Sequence, residues 1–155
     1  GAKCVPWCGH AKAENVSVAG NMLTGPEVVT DTLNTWLDAV DFPFAERFLA
    51  AMEAGERAGG DKRGKQAAGL MIYAGQPYPA LDLRVDDHDD PLAELRRLMA
   101  VAEERYLLFR EAMGTLENFS GMVDRTPLDI AISKNEAKRA AEGIVSQSRA
   151  TPLTP

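Results

Sequence analysis

This 155-residue chain has only two cysteines, two histidines and no long apolar run. Two thiols cannot build a disulfide scaffold, which excludes the small secreted frameworks that depend on one. No stretch approaches the ~20 apolar residues that cross a bilayer. The opening GAKCVPWCGH lacks the apolar core of a signal peptide. Cations are in deficit, 17 Lys and Arg against 23 Asp and Glu, and a net charge of −6 argues against non-specific nucleic-acid binding, which needs a basic face. Internal repeats and low-complexity tracts are missing as well. Together these absences predict a cytoplasmic protein with reduced thiols, no nucleic-acid partner and no membrane span.

What is present has the make-up of a globular domain, 45% hydrophobic and 26% charged. Glu14–Leu23 alternates loosely, with Val16 and Val18 on one face, and predicts a strand. Pro26 suits a first helical position, where its missing N–H costs nothing. Val28, Val29, Thr32, Leu33, Trp36 and Leu37 follow at helical spacing. Pro43 opens a second helix, with Phe44, Phe48, Met52 and Gly55 on one side and a stop at Gly59-Gly60.

Lys65–Ala74 predicts a strand buried on both faces, and Ala80–Val85 its hairpin partner across a Pro-rich turn. Asp90 and Pro91 supply an N-cap and first position for the longest helix. Its apolar seam runs Leu92, Leu95, Met99, Ala102, Tyr106, Phe109, Met113, alternating steps of three and four over three heptads. Such a seam packs on a sheet or neighbouring helix, or joins two copies in a homo-oligomer. Residues 114–125 predict a loop, and Thr126-Pro127 caps a final helix to about Ser148. The tail, residues 151–155, is expected to be flexible. Only three strands stand out, so the sheet has an unfinished face.

Four motifs invite a chemical reading. Pro6-Trp7-Cys8-Gly9-His10 resembles a disulfide-exchange motif, but Ala11 stands where the resolving thiol is needed. Cys4, Cys8 and His10 have no second ligand cluster, so no metal site is expected. Gly59–Gln66, GGDKRGKQ, fits GxxxxGK; Gln66 replaces the magnesium-binding hydroxyl, and a helix precedes where a strand should. The loop nevertheless gathers three cations, a carboxylate and an amide between glycines that admit close backbone approach. Its structural reading is a helix-to-strand turn with Asp61 paired to Arg63. Asp86–Asp90 collects four carboxylates around His88, which can bind a divalent cation or favour the following helix dipole. Asp82 and Arg84 share the strand face opposite Leu81, Leu83 and Val85. Asn21, after Gly20 at a strand end, is a turn residue or an amide donor to an oxyanion.

Several of these segments, in order, resemble the prokaryotic domain-of-unknown-function family ten-twenty-eight, classed with the N-terminal-nucleophile (Ntn) hydrolases. The residues concerned are Gly1-Ala2, Cys4, Trp7, Gly9 and His10; Gly20-Asn21, Leu23 and Gly25–Val28; the EAGERAGGDKRGKQAA stretch; and Leu81–His88 with Asp90-Pro91 and Glu94-Leu95. The resemblance covers about residues 1–110. It implies an α+β fold, part of a four-layer α-β-β-α sandwich over residues 1–113, with a loop and helical extension at 114–150. It further implies amide hydrolysis by an N-terminal Ser, Thr or Cys whose own α-amino group acts as base, without cofactor or metal. Gly1 carries no such group, so the nucleophile is expected on a missing N-terminal segment or a partner chain. Asn21, Asp61, Arg63, Gln66, Arg84 and Asp86 are the candidates to line a site for a small amide or peptide-like substrate, with Arg63 holding a carboxylate. The alternative is a non-catalytic structural or oligomeric protein of the same fold.

Overall fold

The computed structural model describes residues 7–150. Gly1, Ala2, Cys4 and the tail at 151–155 lie outside the described residues, as do the expectations placed on them. The described chain runs β1 (Cys8–Ala13), β2 (Val16–Asn21), α1 (Glu27–Asp38), α2 (Phe44–Arg57), β3 (Ala68–Tyr73), β4 (Pro79–Val85), α3 (Pro91–Val101), a π-helical turn (Ala102–Tyr106), α4 (Leu107–Arg110) and α5 (Thr126–Ala141). β1 pairs with β2 and β3 with β4, in two separate two-stranded sheets. The arrangement is α+β, as predicted. Among the described residues, no helix is long and apolar enough to cross a membrane.

Two compact units divide the chain. The first contains the residues up to Ala68 together with Val85–Leu92. In it β1 and β2 form an antiparallel hairpin with Cys8 opposite Asn21 and Ala13 opposite Val16. The connection turns at Asn15, in the left-handed region at φ 58°, which asparagine tolerates better than most residues. Val16, Val18 and Gly20 take the more buried face of β2, while Ser17, Ala19 and Asn21 are exposed. α1 packs on this hairpin and on α2. Of its predicted stripe Val28, Val29, Leu33 and Trp36 are buried and Thr32 is half-buried, whereas Leu37 is exposed. In α2 the buried residues are Leu49, Ala51, Ala54 and Gly55, so of the predicted face only Gly55 is buried, with Phe48 and Met52 half-buried and Phe44 exposed.

The α1–α2 corner is aromatic. Trp36 lies 4.6 Å from Phe48 and 5.7 Å from Phe44, centroid to centroid. Arg47 closes it: Nε donates to the Trp36 carbonyl at 2.6 Å and the guanidinium sits 4.0 Å from the ring centroid. Beyond α2 the chain stops as expected. Gly60 N–H donates to the Gly55 carbonyl at 3.1 Å, with Gly59 and Gly60 both at positive φ.

The second unit contains Gly69–Arg84 and the chain from Ala93 onward. Leu70, Ala80, Leu81, Leu95, Met99, Ala102 and Leu128 form its core. The Tyr78 hydroxyl donates to the Gly114 carbonyl at 2.7 Å, tying the β3–β4 turn to the loop after α4.

Four expectations need correction. Cys8–Ala13 is a strand that the sequence reading missed. β3 is not buried on both faces: Leu70 alone is fully buried, while Met71 and Tyr73 are exposed. The heptad seam is interrupted by the π turn, which shifts the register by one residue. Leu95, Met99 and Ala102 stay buried, whereas Tyr106, Phe109 and Met113 come to the surface. Asn135 Nδ2 meets the carbonyls loosened by that turn, 3.2 Å from Glu103 O and 2.9 Å from Glu104 O. Finally, α5 ends at Ala141 rather than near Ser148. Gly143, at φ 69°, lets Ile144 N–H return to the Arg139 carbonyl at 2.8 Å, a glycine-closed helix end.

Candidate functional site

An open cleft of about 840 Å³ lies within the first unit. Its floor is apolar: Val18 and Gly20 of β2, Leu23, and Val28 and Val29 of α1, with Met52 of α2. The rim is charged and comes from two sources. Glu56 projects from the last turn of α2, and the glycine-rich loop supplies Asp61, Arg63, Lys65 and Gln66.

Main-chain pairing fixes the loop against the end of β2. Thr24 N–H donates to Gly60 O at 3.1 Å and Lys62 N–H to Met22 O at 2.7 Å, around a single bridge between Leu23 and Asp61. Met22 takes the left-handed conformation here, φ 56°, so the turn comes one residue after Asn21. Gly60 sits at φ 55°, in the left-handed region that favours glycine, and a Cβ there would push on the flexible end of Glu56, whose Oε2 would be 2.5 Å away.

The cations of the rim are already engaged. Asp61 accepts from Arg63 Nε at 3.0 Å and Nη2 at 2.6 Å, and from the Arg63 backbone N–H at 2.8 Å. These bonds from Arg63, the side-chain ones foremost, hold the Asp61 carboxyl well below its usual range, lowered to about 2. The Arg63 side chain is 68% exposed, so the pair is a solvated turn element. Lys65 Nζ stands 3.4 Å from both Glu56 Oε1 and Asp90 Oδ2. Burial pulls the Lys65 ammonium down, but its bonds to Asp90 and Glu56 outweigh that and leave it raised. Gln66 Nε2 donates to Asp87 Oδ1 at 2.9 Å, and its carbonyl accepts from His88 N–H at 3.0 Å.

Of the six sequence candidates, the structure brings Asp61, Arg63 and Gln66 to the cleft. Asn21 is exposed at the end of β2 and does not line it; Gly20 beside it does. Asp86 is exposed outside the lining, and Arg84 belongs to the second unit, on the exposed face of β4. The acidic run at Asp86–Asp90 uses its imidazole internally: His88 Nδ1 accepts from Asp90 N–H at 2.9 Å. Among the described residues, no three His, Cys, Asp or Glu side chains converge to hold a metal ion. Cys8 is a partly exposed free thiol on β1. The loop lies between α2 and β3, the reverse of the phosphate-binding order, as the sequence indicates.

Sequence reasoning did not name Glu56, Lys65 or Thr32 as site residues, although it counted Lys65 among the cations of the loop. A signal for Glu56 was available: Met52, Gly55 and Glu56 share one helical face. Among the described residues Thr32 is the one hydroxyl side chain of the lining, and its Oγ1 donates to the Val28 carbonyl at 2.7 Å.

No curated protein matches this chain. Among solved structures, the crystal structure of protein SPO2555 from Silicibacter pomeroyi, itself a DUF1028 protein, is similar, with 26% sequence identity and a TM-score of 0.66. The similarity covers 77% of this chain and 53% of that one, so this chain spans about half the length of its structural relative. The profile of the family of unknown function DUF1028 matches residues 1–95, the whole of the first unit and its loop included. The chain therefore belongs to the DUF1028 family.

Proposed function

We propose that the cleft of the first unit is the substrate-binding side of an Ntn-type amide hydrolase acting on a small amide or peptide-like molecule. The observation that carries this reading is the cleft itself, with an apolar floor and a rim of Glu56, Asp61, Arg63, Lys65 and Gln66. Ligand sites commonly combine an apolar lining with a few convergent polar groups. The resemblance to Ntn hydrolases supplies the reaction class and the four-layer sandwich to which both hairpins would belong. The role assigned to this chain is binding, since Thr32, the hydroxyl of the lining, is committed to a main-chain carbonyl. The nucleophile comes from elsewhere in the active protein.

A second reading has its own support. The Asp61–Arg63 and Lys65–Glu56 pairs brace the loop internally, as a non-catalytic or oligomeric protein of this fold would require. A panel of chromogenic aminoacyl and acyl amides separates the two, assayed with the active protein that carries the nucleophile and with its variants Gln66→Leu and Ala67→Trp, Ala67 being a further residue of the cleft lining. The hydrolase reading expects turnover of some amide, lost in both variants at near-unchanged melting temperature. Turnover of none, or turnover indifferent to both substitutions, overturns it.

A further inference from the structure

Two cations on the rim first suggest a site for a carboxylate. Their partners argue otherwise. Arg63 is held in a two-pronged pair by Asp61, and the Asp61 oxygens are in turn filled by Arg63 side-chain and backbone donors. Lys65 faces two carboxylates, Glu56 and Asp90. Counting Asp61, Arg63, Lys65, Glu56 and Asp90 together, the ensemble carries one negative charge more than positive. Glu56 also sits in the last turn of α2, where the helix dipole adds partial negative charge.

Glu56 is the carboxylate best placed to serve a ligand. It lines the cleft, and its Oε2 lies against Gly60, where a Cβ would crowd it. Its bond to Lys65 is long, 3.4 Å, where a well-formed ammonium–carboxylate contact is about 2.7–2.9 Å. The Lys65 ammonium thus occupies, loosely, a seat that another ammonium could take. Below Glu56 the floor of Leu23, Val28, Val29 and Met52 suits an aliphatic body.

We propose that the cleft selects a ligand with a free primary ammonium, received by Glu56, attached to an aliphatic body resting on that floor. The chemical class is an amino-acid amide or a peptide with an unblocked amino end. This names the substrate class for the hydrolase reading above and rests on the same cleft, but it concerns binding alone.

Calorimetric titration of the full chain near pH 7 tests it with three probes that share one aliphatic body: leucinamide, N-acetylleucinamide and 4-methylpentanoate. Leucinamide is expected to bind about five-fold more tightly than either other probe, the upper range of a partly exposed ion pair. Glu56→Gln should erase that preference. Lys65→Met should strengthen leucinamide binding, because it vacates the seat; this variant also keeps the test intact if Glu56→Gln fails to fold. Equal or tighter binding of 4-methylpentanoate overturns the proposal, as does binding of no probe, or a preference that survives Glu56→Gln. If leucinamide binds as stated while the nucleophile-bearing protein turns over no amide, the hydrolase reading falls and the ammonium seat stands.

Discussion

Gly55 of α2 lies directly against Thr32 of α1. A Cβ at Gly55 would run into Thr32 Oγ1 and lie 3.4 Å from the Val28 carbonyl to which that hydroxyl is bonded. The helices forming one side of the cleft are therefore spaced by a glycine. Gly55→Ala should destabilise the first unit by about 1–3 kcal/mol, the usual range for overpacking, despite alanine being the better helix former. Urea unfolding followed by circular dichroism measures this. A neutral or stabilising result would mean that the helices part without cost.

Trp36 anchors the other end of the same helix pair. It is buried, contacts Phe44 and Phe48, and accepts Arg47 through both its carbonyl and its ring. Trp36→Ala is expected to cost about 3–5 kcal/mol, as aromatic truncations in cores do. Denaturation midpoints should fall accordingly, and Arg47→Met should cost less, because the apolar stem can stay in place. Near-equal losses for the two variants would refute this ranking.

The Asp61–Arg63 pair has a defined acid limit. The folded-state carboxyl titrates at about 2 against an ordinary value of 3.8. A group with a lowered folded value stabilises the fold above its unfolded value, and that contribution disappears as pH falls from about 4 towards 2. Carbon-detected NMR of the Asp61 carboxyl should show this low midpoint, and Arg63→Ala should return it towards 3.8. Arg63 is solvent-exposed and Asp61 only half-buried, so the melting temperature at neutral pH should stay near that of the wild type. A large loss would assign Arg63 a structural role that its exposure does not suggest.

In the second unit, Glu104 of the π turn collects three donors. Arg139 Nη2 lies at 3.3 Å, Ser146 Oγ at 2.7 Å and Gln147 N–H at 2.9 Å. Glu104→Ala should cost about 1–3 kcal/mol, the penalty of leaving charged-group hydrogen bonds unmade. It should also release the segment after α5, so limited proteolysis should cut between Gly143 and Ser148 sooner than in the wild type. Unchanged protection of that segment would show that Glu104 does not hold it.

The helices were legible because their signals are local. Pro26, Pro43 and Pro91 mark three starts, and apolar spacing at Val28–Trp36 identifies the face that is buried. The loop was legible too, because residue types of functional interest crowd into Gly59–Gln66. β1 was not: Cys8-Gly9-His10-Ala11-Lys12-Ala13 has weak strand preference of its own and becomes a strand by pairing with β2. The run at Lys65–Ala74 was apolar enough to suggest burial on both faces, yet burial depends on what covers a strand, and composition does not report that.

By itself, then, the sequence determined the α+β character, the helix starts, the polar loop and the family membership, all of which rest on residues near one another in the chain. Only the tertiary structure decided which charges meet. Asp61 takes up Arg63, Lys65 is shared by Glu56 and Asp90, and Asn21, Arg84 and Asp86 stay outside the cleft lining. Charge pairing falls steeply with distance and solvent exposure, so it is set by the packing of separate segments and not by their order in the chain. For that reason a loop that reads as an anion site in sequence becomes, once folded, one whose cations Arg63 and Lys65 are already met by Asp61, Glu56 and Asp90.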